Sequence, residues 1–253
     1  MMPVLFVGHG SPMNAIEDNE ITRGWREISK AFDKPVAILC ISAHWYTDRT
    51  RILSSLEPRT IHDFYGFPRE LHAVQYPAKG EPTLVAEVEK LLGSSVARDD
   101  SWGLDHGSWS VLVHMYPESD VPVVQLSIDA GASTRQLYEI GTLLRPLREQ
   151  GVLILGSGNV VHNLTLMDMS NLEGYTWAVE FDDHVRTHVC THEHDQVLHY
   201  EQAGPCAGRA FRTREHFDPL LVVLGASHPS DPVHVFNRKF FAGSVSMTSY
   251  RIG

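Results

Sequence analysis

The sequence predicts an α/β protein with a mostly parallel central sheet flanked by helices and an active site at the strand C-terminal ends. Three observations carry that expectation. Short apolar runs bounded by glycine, proline and polar residues recur at 3–7, 36–42, 121–127 and 152–157, the pattern of buried strands. Segments with apolar residues at helical spacing alternate with them. Two of the runs end in histidine, at Gly8-His9-Gly10 and Ala43-His44-Trp45, and a third leads through Gly158-Asn159-Val160-Val161 to His162. Sheets of this kind bind ligands in the crevice beyond the strands' carboxyl ends.

The elements follow in order. Residues 20–32 place Ile21, Trp25, Ile28 and Phe32 on one helical face, and a short strand at 51–54 follows the strand at 36–42. The irregular stretch 56–82 carries His62, Asp63, Tyr65, His72 and Tyr76; a loop this long in a compact domain is usually functional. Thr83 is expected to cap a helix through Leu92. A turn at 102–107 precedes a helix at 108–116, and Pro122 stands near the start of the next strand. Ser133 or Thr134 caps a helix to about Glu149. Residues 176–190 and a segment beginning at Phe217 read as helices. Residues 244–250 alternate with period two and read as one final strand. No repeat, linker or low-complexity segment divides the chain, so a single domain over residues 1–253 is expected.

Bulk properties narrow the function classes. The chain has 253 residues, 43% hydrophobic and 21% charged, ordinary for a soluble globular protein with a large core. No apolar run approaches the ~18 residues of a membrane helix. The chain enters a strand at Pro3 without a basic leader, which argues against secretion. A formal charge of -10 is the wrong electrostatic footprint for nucleic acid. Cys40, Cys190 and Cys206 show no CxxC spacing, and Cys40 sits inside an apolar run, so a reduced cytoplasmic protein is expected.

The 15 histidines carry the chemistry once sorted by position. His9 stands between two glycines that allow a sharp turn. His44 precedes Trp45, a candidate pocket wall. Imidazole ligates Zn, Fe, Cu and Ni, so His9 and His44 read equally well as metal ligands or as hydrogen-bonding loop residues. His162 reads as ligand, base or structural histidine. His106 reads as a proton donor, a substrate contact or a helix cap, and His62 as a substrate contact. His184, His188 and His192 are spaced to stack on one helical face. No strand end or glycine turn presents them, which favours a solvated face. No phosphate-binding or dinucleotide fingerprint, nucleophile elbow or HExxH helix is present.

The segments Gly8-His9-Gly10-Ser11-Pro12-Met13, Ser42-Ala43-His44-Trp45 and Thr60-Ile61-His62-Asp63-Phe64-Tyr65-Gly66-Phe67-Pro68 resemble class III extradiol ring-cleavage dioxygenases of the 4,5-DOPA extradiol type. Residues 102–107, 157–163 and 243–247 continue the match. The resemblance implies one divalent ion, Zn2+ or Fe2+, held by His9, His44 and a later residue. That residue matches His216; Glu215 beside it keeps a carboxylate ligand open. His162 matches a histidine that serves as acid/base or as a further ligand, with His106 assisting. The implied reaction opens a catechol with O2 to a muconate-semialdehyde-type product, with His62, Trp45, Tyr65 and Phe64 near substrate. The alternatives are a zinc-dependent hydrolase, which needs no O2, and a non-enzymatic binding protein on the same fold.

Overall fold

A computed structural model describes residues 1–253. Its strands are β1 (Val4–Gly8), β2 (Ala37–Thr47), β3 (Arg51–Leu53), β4 (Ala97–Asp99), β5 (Val123–Asp129), β6 (Val152–Gly158), β7 (Val233–Phe236), β8 (Phe240–Phe241), β9 (Val245–Ser246) and β10 (Ser249–Ile252). The helices are α1 (Glu20–Ile28), α2 (Arg69–His72), α3 (Pro82–Leu92), α4 (His106–Met115), α5 (Thr134–Leu144), α6 (Thr176–Cys190), α7 (His194–Leu198), α8 (Ala207–Ala210) and α9 (Asp218–Ala226).

Eight strands form one sheet in the order β4-β3-β5-β2-β6-β1-β10-β7. Its centre, β5-β2-β6-β1, is parallel throughout, while β3, β10 and β7 join antiparallel. The central strands alternate their side chains between two cores. Val4, Phe6, Leu39, Ile41 and Ile154 enter the larger core with α3, α5, α6 and α9. Leu5, Val7, Ile38, Cys40, Leu153 and Leu155 enter the smaller one with α1 and α4. Continuous apolar runs are what a sheet covered on both faces requires.

Local chemistry moved several boundaries. Glu81, not Thr83, caps α3: its side chain accepts the Thr83 N–H, and Pro82 fills the first turn. Helix α4 begins at His106 because the Asp105 side chain accepts the Ser108 N–H. Helix α5 starts at a Ser133–Gln136 capping box and passes into a 3-10 turn at Arg145. The expected final strand at 244–250 is two strands. The main chain of Met247 crosses directly over Gly8, where a Cβ would lie 2.7 Å from the Met247 Cα. That crossing takes Met247 out of the ladder and turns β9 away from β10.

Candidate metal centre and active site

Three adjacent parallel strands build the site. His9 follows β1, and its N–H donates to Gly158 O at the end of neighbouring β6, 3.1 Å away. Gly10 turns the chain with a left-handed φ of +60°. His44 lies within β2 rather than beyond it. Pairing with β5 jumps there from Ile41↔Leu126 to Tyr46↔Ile128, so four β2 residues stand against one on β5. His216 precedes α9 and lies against the end of β6. A Cβ on Gly158 would fall 2.0 Å from the His216 carbonyl, which accepts the Asn159 N–H at 2.8 Å. His106 opens α4 on the opposite side of the sheet. His162, after β6, is held by its N–H to Ala210 O at 2.8 Å.

The rings of His9, His44 and His216 form a nearly equilateral triangle, with centroids 5.0, 5.1 and 5.3 Å apart. His9 Nε2 and His44 Nε2 are 3.1 Å apart. Tetrahedral ligation at ~2.0–2.1 Å separates two nitrogens by roughly 3.3 Å. The outer nitrogens fix the tautomers. His9 Nδ1 lies 3.0 Å from Ser157 Oγ, whose own proton goes to Gly107 O, so the ring donates there. His44 Nδ1 faces Asp63 Oδ2 and His216 Nδ1 faces Glu215 Oε1, each at 3.3 Å. Carboxylates only accept, so both Nδ1 atoms carry hydrogen and all three Nε2 atoms keep their lone pairs. The donor set therefore fits a divalent ion.

Grouping by donor separation alone gives two triads, His9–His44–His106 and His162–Glu215–His216. Ring orientation separates these differently. His162 stacks on His216 with centroids 3.5 Å apart and planes 9° from parallel. An imidazole lone pair lies in its ring plane, so the lone pairs of these two stacked rings run side by side rather than toward one point. His106 packs against His44 at 3.9 Å.

Electrostatics agree with neutral ligands. Burial, with the neighbouring imidazoles adding to it, holds His9 and His216 well below the ordinary histidine range. Burial and His106 bring His44 down to about 3; burial brings His162 to about 4, against the opposing pull of Glu215. Burial pushes Asp63 up, but the His106 hydrogen bond and adjacent imidazoles outweigh it and hold the carboxyl at about 2.

Of the four residues expected near substrate, Phe64 meets the histidine cluster, whereas Trp45, Tyr65 and His62 do not join it directly. Trp45 is buried in the smaller core, stacked on Trp102 at 6.0 Å. Tyr65 is 95% exposed. His62 bonds Val74 O through Nε2 and lies behind Phe64, which meets His106 edge-on at 5.6 Å. The histidine stripe on α6 also ends early. The helix stops at Cys190, and His192 has a left-handed φ of 58°. His184 pairs with His188 at 4.6 Å, and His188 Nδ1 bonds Glu193. A cavity of about 490 Å³ beside them is lined by Glu180, Asp183, Thr187 and Cys206, and by none of the five clustered histidines.

Sequence reasoning assigned nothing to Ser157, Asp63, Asp105 or Asp218. Asp105 is fully buried under Ser42, Gln125 and Trp102 side-chain donors. Burial, with Asp63 nearby, lifts it to about 6. Asp218 takes Tyr46 Oη at 3.1 Å and lies 3.0 Å from Arg214 Nε, linking the His216 segment to the strand of His44. For the three acids the available signal is an acidic residue beside a histidine or two residues from it; Ser157 carries no such signal.

Fold and site together define an α/β protein built to gather imidazoles at one sheet edge. A family model described as the catalytic LigB subunit of aromatic ring-opening dioxygenase matches residues 3–253. A protein of Escherichia coli (strain K12) named 4,5-DOPA dioxygenase extradiol is 41% identical over 259 residues, covering 100% of this chain and 95% of its own. A Beta vulgaris protein of the same name is 37% identical, covering 97% and 94%. A crystal structure of an uncharacterized Escherichia coli K12 protein superposes with a TM-score of 0.87 at 37% identity, covering 100% of both chains. The chain belongs to this family of extradiol ring-opening dioxygenases. No helix is long and apolar enough to cross a membrane.

Proposed function

We propose that the protein inserts both atoms of O2 into a catechol beside its diol, giving a muconate-semialdehyde-type product. His9, His44 and His216 hold one divalent ion, and His162 is the principal acid/base. The observation that supports this reading is the triangle of the His9, His44 and His216 rings, with centroids no more than 5.3 Å apart and the Nε2 atoms of His9 and His44 3.1 Å apart. When bound, a divalent ion favours the anionic catecholate and offers open positions for diol and O2; Fe2+ adds the redox capacity that Zn2+ lacks.

The chain's own groups do the rest. His162 stacks on the face of His216 rather than lying in its ring plane, which would leave its ring nitrogen free to take a proton from a catechol hydroxyl and return it during ring opening. Burial keeps that ring neutral before the transfer, the form a base needs. His106 assists from the other side of the sheet, where Phe64 covers it edge-on and limits water. His62, bonded to Val74 O, backs Phe64 from behind. Free cysteines at 40, 190 and 206 suit a cytoplasmic setting.

An oxygen-electrode trace with Fe2+-loaded protein and a panel of catechols tests the reading. The panel begins with 3,4-dihydroxyphenylalanine, after the names of the relatives. One O2 consumed per catechol, with a new semialdehyde absorbance, is expected. No uptake with any catechol, alongside metal-dependent ester cleavage without O2, would overturn it in favour of the hydrolase.

A further inference from the structure

Asp63 sits in the long loop after β3, yet its carboxylate reaches both functional halves of the site. Oδ2 is 3.3 Å from Nδ1 of His44. Oδ1 accepts the backbone N–H of His106 at 2.9 Å and lies 3.0 Å from that residue's Nδ1. The backbone N–H makes the hydrogen bond to that oxygen, and the buried Nδ1 faces the same oxygen with no other partner. The loop is fixed at this point: Ile61 N–H donates to Leu104 O at 2.7 Å, and Trp109 Nε1 donates to Ile61 O at 2.7 Å. Asp63 therefore does not wander with its loop. Its side chain is about four-fifths buried, at 18% exposure.

We propose that Asp63 is the positioning residue that couples metal retention to proton transfer, by holding His44 and His106 in the same tautomer at once. This rests on the proposed roles of those two histidines. A carboxylate offers only acceptors, so each Nδ1 facing it must carry the hydrogen. Each Nε2 is then left with a lone pair directed into the site, on His44 for the ion and on His106 for a substrate proton. The helix N–H bond anchors the carboxylate so that neither ring can claim it alone. An amide in its place cannot do both jobs. Its oxygen satisfies one ring, and its NH2 group forces the other ring to present Nδ1 as acceptor and Nε2–H to the site.

The test uses full-length Asp63→Asn, Asp63→Glu and Asp63→Ala. Zn2+ affinity is read by competition with a chromophoric chelator, and turnover by oxygen uptake of Fe2+-saturated protein. Asp63→Asn is expected to lose about 10–100-fold in Zn2+ affinity. At full Fe2+ loading its kcat falls by a similar factor, with KM for the catechol within about twofold. Asp63→Glu, which keeps the acceptor, recovers a large part of both losses. Formate added to Asp63→Ala restores Zn2+ affinity, which repair of a merely structural defect would not do. Zn2+ affinity and kcat of Asp63→Asn both within twofold of the parent would overturn the proposal, as would losses that neither Asp63→Glu nor formate repairs. A parent protein that consumes no O2 sinks the proposed reaction, while the Zn2+ measurements still decide the role of Asp63.

Discussion

Two regions of this molecule are rich in histidine, and they differ in every respect that matters for chemistry. The segment 184–194 packs four histidines into eleven residues. They disperse: His184 faces His188, His188 turns to Glu193, and His192 lies beyond the helix end. The strand-end cluster draws His9, His44, His106, His162 and His216 from across more than two hundred residues and packs them ring against ring. Density along the chain follows helical pitch and leaves all four rings half-buried. Convergence follows the order of strands in the sheet, where β2, β6 and β1 are neighbours. Outer partners differ in number: Ser157, Asp63 and Glu215 each face a ring of the cluster, whereas in the segment only His188 has a carboxylate, Glu193.

The comparison breaks most directly at its strongest points. His9→Ala and His44→Ala should each abolish stoichiometric metal, measured by elemental analysis after desalting, and oxygen uptake with it. Retention of a full equivalent in either variant would remove that residue from the ligand set. His162→Ala should keep its metal and lower kcat by about 10²–10⁴, the usual contribution of a general base. Equal loss of metal would instead make it a ligand. Gly158→Ala drives a methyl into the His216 carbonyl. It should destabilise the fold by about 1–3 kcal/mol in denaturant melts and weaken metal binding as His216 is displaced. At the small end, a double His184→Gln, His188→Gln variant should leave turnover unchanged and shift stability by no more than about 0.5 kcal/mol.

Much of this architecture was readable in the sequence, for a physical reason. Strands β1, β2, β5 and β6 are covered on both faces, so their burial is written as continuous apolar runs. Helices α5 and α6 carry periodic faces and, for α5, a capping box. The broken final strand was not readable. Its alternation is real, but the crossing of Met247 over Gly8 is a contact between chain ends that no local pattern records. Trp45 shows the same limit. Its neighbour His44 faces the site, yet the register jump in β2 sends Trp45 into the smaller core. His216 has no periodic or glycine signal of its own; only resemblance to a family singled it out. Asp63 was visible as an acid beside a histidine, but its two partners come from β2 and α4, which only the folded chain brings together.

The cluster draws on all three layers of the protein. His9 and His44 belong to the sheet, His106 to the helix layer on one face, and His216 to the segment leading into the layer on the other. An ion held as proposed by His9, His44 and His216 would act as a strain gauge between sheet and helices. Slippage of the α9 layer along the sheet would shift His216 against the other two rings, so repacking there would reach the site without touching substrate.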